Sequence, residues 1–320
     1  MVEEIVVKSP SRLHFGLIDL RGDLGRIYCS VGVAIEHPNV VLKAYPNEEL
    51  VVEGERRDEA IHYAKAFFKK FRVEDGVRIC IQQTIPEHVG LGSGTQLALS
   101  IGSSLAKLFE IDTTVEEISR VLHRGEVSGV GTYAFKLGGF ILDGGQRVAG
   151  PRALPPLLLR HEFPSDWYFV VGVPKTKPGL SGRKEMEHFS KLPLMTKEAT
   201  SEIARLVLVK MIPSLIERDI VGFGQALTDL DFKTGDYWSS IQGGRFSDPV
   251  VEEGVGFMLD QGAYGAGQSS WGPAFYGLVE GEKGAIDLEK ALDDFLAEKI
   301  GGTTFYTKPN NSGVWLRRSV

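Results

Sequence analysis

The sequence predicts an α+β fold, and three observations carry that prediction. The chain opens with β-rich runs (Val2–Lys8, Ile27–Ile35, Val40–Ala44, Leu50–Glu53) separated by turn signals at Arg21-Gly22-Asp23-Leu24-Gly25 and Asn47, the pattern of hairpins in series. A strand, a glycine loop and a helix then follow one another directly between Val77 and Leu108. Later strands and helices alternate while antiparallel pieces persist, which favours α+β over a doubly wound parallel sheet.

Each element has a local reason. Arg12–Leu20 is a mixed run holding Arg12, His14 and Asp19. Side chains alternate along a strand, so Arg12 and His14 share a face and Asp19 falls on the other unless a bulge intervenes. Arg57–Phe71 places Ile61, Ala64, Phe67, Phe68 and Phe71 at helical spacing. Val77, Ile79 and Ile81 form a strand, and Ala98, Ile101, Leu105 and Leu108 form the inner face of the helix beyond the glycines. Thr114 and Glu117 make a capping box before Ile118, Val121 and Leu122. Gly125–Gly145 reads as loop, short helix (Thr132–Leu137), strand (Phe140–Leu142) and turn. The proline-rich Ala149–Pro156 is the expected linker between an N-terminal domain, 1–155, and a C-terminal domain, 156–320. Trp167–Val173 is a strand. Thr196–Met211 is a capped helix ended by Pro213, and Asp219–Asp231 is a helix with Phe223, Ala226, Leu227 and Leu230 inward. Pro249–Gln261 and Asp287–Ile300 are helices, and Ala274–Val279, Thr303–Thr307 and Val314–Arg317 are strands.

Composition sets bounds. The chain has 320 residues, 42% hydrophobic and 24% charged, ordinary values for a globular protein. A net charge of −6 implies no global attraction to nucleic acid or an anionic membrane. Cys29 and Cys80 lie in apolar, strand-like runs and read as buried free thiols, which suits a reducing cytoplasm. No apolar run approaches the ~20 residues of a membrane span, and no signal peptide is expected.

The chemistry concentrates in glycine clusters. Gly90, Gly92 and Gly94 precede a helix, so backbone N–H groups and the helix N-terminus can converge on a phosphate. The spacing fits neither a Walker loop nor a dinucleotide fingerprint, and a plain turn starting a helix is the other reading. In Gly125–Gly145, Glu126, Ser128 and Asp143 stand among glycines, consistent either with backbone approaching a ligand or with tight turns. Pro174–Glu185 carries Lys175, Lys177, Arg183 and Lys184, either an anion site or a solvated basic loop. A third cluster, Gly262–Gly277, contains Gln268, Ser269, Ser270 and Trp271, and Trp271 is either a stacking platform or a core residue.

These three clusters, in this order, resemble the motifs of the GHMP kinase superfamily. Pro86-Glu-His-Val-Gly-Leu-Gly-Ser-Gly-Thr95 is similar to the family's Pro-x-x-x-Gly-Leu-Gly-Ser-Ser-Ala loop, and Gly262-Ala-Tyr-Gly-Ala-Gly267 to its C-terminal loop. Ser9-Pro-Ser-Arg-Leu-His-Phe-Gly16 matches its N-terminal motif loosely. The resemblance covers essentially the whole chain. It implies an N-terminal domain like domain 2 of ribosomal protein S5 and a ferredoxin-like C-terminal domain, with the ligand between them. Two departures stand out: Gly131 occupies the place of an Asp that orients the substrate hydroxyl in mevalonate- and galactose-type kinases, and the C-terminal loop continues as Gln268-Ser-Ser-Trp-Gly-Pro273.

Ser11–Asp19, Gly90–Gln96, Ser128–Phe140 with Asp143-Gly-Gly145, and Gly267–Pro273 more narrowly resemble the β-ribofuranosylaminobenzene 5′-phosphate synthase family of methanopterin biosynthesis. That resemblance implies a decarboxylating C-glycosyl transfer from phosphoribosyl pyrophosphate to 4-aminobenzoate or 4-hydroxybenzoate, releasing CO2 and pyrophosphate. The catalytic candidates are Arg12, His14, Glu126 and Asp143. The substrate-binding candidates are Gly90, Leu91, Gly92, Ser93, Gly94, Thr95, Gln96, Ser128, Lys175, Arg183, Gln268, Ser269, Ser270 and Trp271. Arg12, His14, Lys175, Lys177 and Arg183 are expected near anions, and Mg²⁺ is expected on Asp19 or Asp143, with Glu126 a further candidate. The competing expectations are an ATP-dependent small-molecule kinase on the same fold and a catalytically silent phosphate-binding module. Neither nucleic acid nor membrane is an expected partner, and a homodimer is left open.

Overall fold

Strand pairing in the computed structural model, which describes residues 4–176, 193–246 and 248–319, sorts the chain into two sheets. The first is built on two long antiparallel strands, β1 (Glu4–Asp19) and β2 (Arg26–Asn47). The separate short runs expected at the start of the chain are therefore continuous. Irregularities between Ser9 and Ser11 and between His14 and Gly16 bend the pair without ending it. Strand β3 (Val51–Glu53) lies parallel to β4 (Gly76–Gln83), which pairs with the far end of β2. The near end of β2 pairs with β5 (Phe140–Asp143) and β6 (Gln146–Arg147).

Helices α1 (Arg57–Phe71), α2 (Ser93–Leu108), α3 (Val115–Val121) and α4 (Val130–Leu137) belong to this unit. Thr114 caps α3 as expected, its hydroxyl accepting from Glu117 N at 3.1 Å. Leu97, Ala98, Ile101 and Leu105 of α2 are wholly buried. Each large apolar side chain so removed from water contributes roughly 1.5–3 kcal/mol, and this burial fixes where the N-terminus of α2 points.

The sheets divide the chain differently from a cut at residue 155. Strand β7 (Leu157–His161) pairs with β5, and the last strand, β12 (Trp315–Ser319), returns to pair with β1 from Glu4↔Ser319 to Lys8↔Trp315. Ala149–Pro156 is thus a connection within the first sheet.

The second sheet has the order β11-β8-β10-β9, from β8 (Trp167–Pro174), β9 (Gly265–Gln268), β10 (Phe275–Glu280) and β11 (Gly302–Thr307). Helices separate β8 from β9 and β10 from β11, so this is the β-α-β-β-α-β arrangement of a ferredoxin-like unit. Helix α5 (Lys197–Leu206) runs through a π-turn (Val207–Met211) into α6 (Ile212–Glu217). Pro213 does not end the helix. It sits in the first turn of α6, where its missing N–H costs least. Helix α7 runs from Ile220 to Gln242, well past the expected end at Asp231. Helices α8 (Pro249–Asp260) and α9 (Gly281–Lys299) complete the unit.

Phe15 of β1, Phe169 of β8, Phe223 of α7 and Tyr276 of β10 meet at the junction of the two units, with ring centroids 5.5–6.3 Å apart. The two units therefore share a core, and the surface beside this junction is where the two glycine loops come together. Among the described residues no helix is long and apolar enough to cross a membrane.

Candidate active site

The site begins with β1. Arg12 and His14 share a face, and both line a cavity of about 450 Å³ between the two units. Three other segments close it: the N-terminal turn of α2 through Thr95, the loop His123–Ser128, and the second unit through α7 and Gln268–Trp271. A cavity of this size falls within the range of small-molecule sites.

The two glycine loops interlock behind that wall. Ser269 Oγ donates to the Gly90 carbonyl at 2.6 Å and accepts from His14 N at 3.0 Å. The Arg12 guanidinium also donates to the Gly90 carbonyl, and Arg12 N donates to Leu91 O at 3.2 Å. Gly90 has φ +93, and a Cβ there would stand 2.1 Å from Ser269 O, so only glycine permits this approach. Gly92, also left-handed, precedes α2 and no side chain caps the helix. The N–H groups of the first turn, Ser93, Gly94 and Thr95, are left for an external acceptor. The Arg12 side chain packs against Gly92, and Arg124 Nη1 lies beside Gly94. Arg124 is oriented by Tyr63, its Nη2 donating to the phenol at 2.7 Å. Uncapped helix dipole and two guanidiniums make this end of the cavity a place for a multiply charged anion.

The wall contributed by the second unit is aromatic. Trp238 of α7 and Trp271 pack with centroids 4.5 Å apart at 59°, and both line the cavity with Phe246. Asp231 and Thr234 of α7 stand on the same wall. Burial pushes the Asp231 carboxyl up to about 8, opposed by the Gln268 N–H it accepts and by Arg245.

The structure places the expected residues unevenly. Arg12, His14, Thr95, Glu126, Ser128, Gln268, Ser270 and Trp271 line the cavity. His14 is not the cation expected of it. Burial, helped by the charge of Arg12, holds its imidazole down to about 3, so it is neutral at any physiological pH. Leu91, Ser93 and Gln96 are buried, and Gln96 Nε2 donates to Gly131 O at 2.8 Å, tying α2 to α4 rather than facing a ligand. Ser269 is wholly buried and works as the staple between loops.

Three expectations need correction. Asp143 is wholly buried and accepts from the backbone N–H groups of Ser30 (3.0 Å), Gly129 (2.7 Å) and Gly145 (2.9 Å). It organises the loop before α4 and has no access to the cavity, so neither a metal nor a catalytic role fits it. Asp19 accepts from Arg21 N and Gly22 N at 2.7 and 2.8 Å, tying off a turn away from the cavity. Lys175 lies at the end of β8 against Gly301, also outside the cavity lining. Lys177 and Arg183 lie outside the described residues.

Sequence reasoning missed His123, Arg124, Asp231, Thr234, Trp238 and Arg245. One signal was present: Asp231 follows Leu227 by four residues, so an acid continues the apolar stripe of α7.

With this geometry in hand, comparison with known proteins is specific. Residues 59–139 match the family model of the GHMP kinases N-terminal domain. A solved homoserine kinase from Cytophaga hutchinsonii aligns with TM-score 0.71 at 16% identity, covering 98% of this chain and 97% of that one, which shows the shared fold. The beta-ribofuranosylphenol 5'-phosphate synthase of Archaeoglobus fulgidus is 34% identical over 96% of this chain and 98% of its own. The enzyme of the same name from Methanocaldococcus jannaschii is 31% identical over 97% and 100%. Likeness at that level over nearly the whole of both chains shows that the chain belongs to the beta-ribofuranosylphenol 5'-phosphate synthase family.

Proposed function

We propose that the protein joins the anomeric carbon of phosphoribosyl pyrophosphate to a para-substituted benzoate through a carbon–carbon bond, releasing CO2 and pyrophosphate, as a step of tetrahydromethanopterin biosynthesis. The observation that carries this reading is one cavity lined by both a cationic group (the uncapped end of α2, Arg12, Arg124) and an aromatic one (Trp238, Trp271, Phe246). A phosphorylated sugar and a flat aromatic acid need those two surfaces side by side. The relatives' name, with its ribofuranosylphenol phosphate, favours 4-hydroxybenzoate over 4-aminobenzoate as acceptor.

The chain's contribution is positional and electrostatic. The α2 N-terminus and the guanidiniums hold the pyrophosphate and stabilise it as it leaves with the electron pair of its bond to the sugar. Neutral His14 supplies a hydrogen bond without adding positive charge beside the sugar carbon as that carbon becomes cationic. The aromatic wall holds the ring face-on and keeps water from the sugar carbon.

Mg²⁺ enters this reading with the substrate. Among the described residues no three His, Cys, Asp or Glu side chains converge on a metal position. A pyrophosphate-borne Mg²⁺ needs only one or two protein carboxylates, and Glu126, half-exposed on the cavity rim beside His123, is the one placed to supply it. A cytoplasmic setting agrees with the free thiols Cys29 and Cys80.

Incubation with carboxyl-labelled 4-hydroxybenzoate, phosphoribosyl pyrophosphate and Mg²⁺ should release labelled CO2 in equal amount to pyrophosphate. ATP should not be converted to ADP with alcohol acceptors such as homoserine or mevalonate. ADP formation without CO2 release would replace this reading with the kinase.

A further inference from the structure

The geometry points to Asp231 as the residue that binds the para substituent of the aromatic acceptor and holds its proton while the carbon–carbon bond forms. This rests on the function proposed above and adds a catalytic group to it.

Asp231 sits on the cavity wall formed by α7, with Thr234 on the next turn and Trp238 beyond it. The residue is 7% exposed and lines the cavity. One oxygen accepts from Gln268 N at 3.0 Å, and the other accepts no hydrogen bond from any described residue. The site is built around it. A Cβ on residue 267 would stand 2.7 Å from Asp231 Cγ, so the glycine there makes the room in which the carboxyl lies. A buried carboxyl with one unused oxygen, facing a cavity with aromatic walls, calls for a ligand that brings a donor on a flat ring. Its charged and titratable neighbours are Arg245, whose charge favours the ionised form, and the wholly buried hydroxyl of Tyr276, which burial, helped by Asp231, keeps protonated.

A phenol or aniline para to a carboxylate meets that requirement. As the ring carbon bearing the carboxylate attacks the sugar carbon, the bond from that carbon to pyrophosphate breaks and its electron pair leaves with pyrophosphate. The ring supplies the pair for the new bond, and the para O–H proton passes to Asp231, leaving a carbonyl at the para position. Loss of CO2 returns its bonding pair to the ring, and the para oxygen takes the proton back from Asp231. No net proton is consumed and no further reactant is needed. A carboxylate whose proton affinity is raised by burial is a better acceptor for a phenolic proton than an exposed one.

Asp231→Asn separates this role from a structural one, because its amide oxygen can still accept from Gln268 N while the side chain can no longer take a proton. Labelled CO2 release from 4-hydroxybenzoate is measured across neutral and alkaline pH for wild type, Asp231→Asn and Asp231→Glu. Phosphoribosyl pyrophosphate binding is measured by titration calorimetry. Wild type should gain kcat/KM as pH rises through about 8, where Asp231 ionises. Asp231→Asn should bind the donor normally, lose about 10²–10⁴-fold in kcat and lose that rise. Asp231→Glu should recover part of both. Turnover by Asp231→Asn close to that of wild type, or a retained pH limb, would overturn the assignment. Should Asp231→Asn fail to fold, wild type with 4-methoxybenzoate decides. With no para proton, CO2 release should fall at least about a hundredfold, and near-normal turnover would overturn the proposal. No release from 4-hydroxybenzoate by wild type would remove the parent reading. Release by wild type and Asp231→Asn at similar rates would remove the Asp231 role alone.

Discussion

Asp143→Ala is expected to destabilise the protein by about 4–6 kcal/mol, lowering the thermal midpoint by on the order of 10 °C. The carboxylate accepts from Ser30 N, Gly129 N and Gly145 N in a place with no access to water, and alanine leaves all three donors unpaired. Each such loss costs roughly 1–3 kcal/mol, out of a total stability of about 5–15 kcal/mol for a domain. Asp143→Asn should fall between wild type and alanine. Its single oxygen can replace Oδ1, which serves Ser30 and Gly145, but its NH₂ then confronts the Gly129 N–H. Urea and thermal unfolding of the two variants test this. A metal ligand would behave the other way, with activity lost and the midpoint unmoved, and that result would return Asp143 to the site.

Arg12→Ala is expected to raise the Kd for phosphoribosyl pyrophosphate about a hundredfold. A hydrogen bond from a charged donor is worth roughly 1.5–3 kcal/mol, and 1.4 kcal/mol is tenfold in affinity. Arg12 acts twice, through its charge at the cavity wall and through its bond to the Gly90 carbonyl, which positions the loop before α2. Alanine removes both. Arg12→Lys keeps the charge but offers no planar fork for loop and ligand together, so it should recover only part of the affinity. Calorimetric titration with phosphoribosyl pyrophosphate and Mg²⁺ measures both. A Kd within about threefold of wild type for Arg12→Ala would place the anion elsewhere.

The first cavity wall was legible in the sequence because local rules write it. Alternation put Arg12 and His14 on one face, and glycine spacing followed by helical periodicity put a loop before α2. The cap at Thr114 and the span Arg57–Phe71 come from equally local patterns. The wall from the second unit was not legible in the same way. Asp231, Thr234 and Trp238 reach the cavity because α7 packs across β9, a pairing no local pattern announces. The corrected roles have the same origin. His14 is neutral, and Asp143 is a backbone anchor, because of burial by residues distant in sequence. Charge state and access to a cavity are tertiary properties, whereas residue type is read directly. Gly131, which departs from the kinase pattern, packs against Thr95 at the start of α2, so that departure lies beside the cationic wall itself.

The return of β12 to β1 orders events during synthesis. The first sheet cannot be completed when its own helices and strands have left the ribosome, because one of its members is made after the whole second unit. Until then β1 presents an unpaired edge from Glu4 to Lys8, the kind of edge that other chains can join. A pairing between strands so far apart in the chain also carries a high loop-closure cost and closes slowly. Partly made chains therefore pass through a stage in which the sheet that carries Arg12 and His14 is still open on one side.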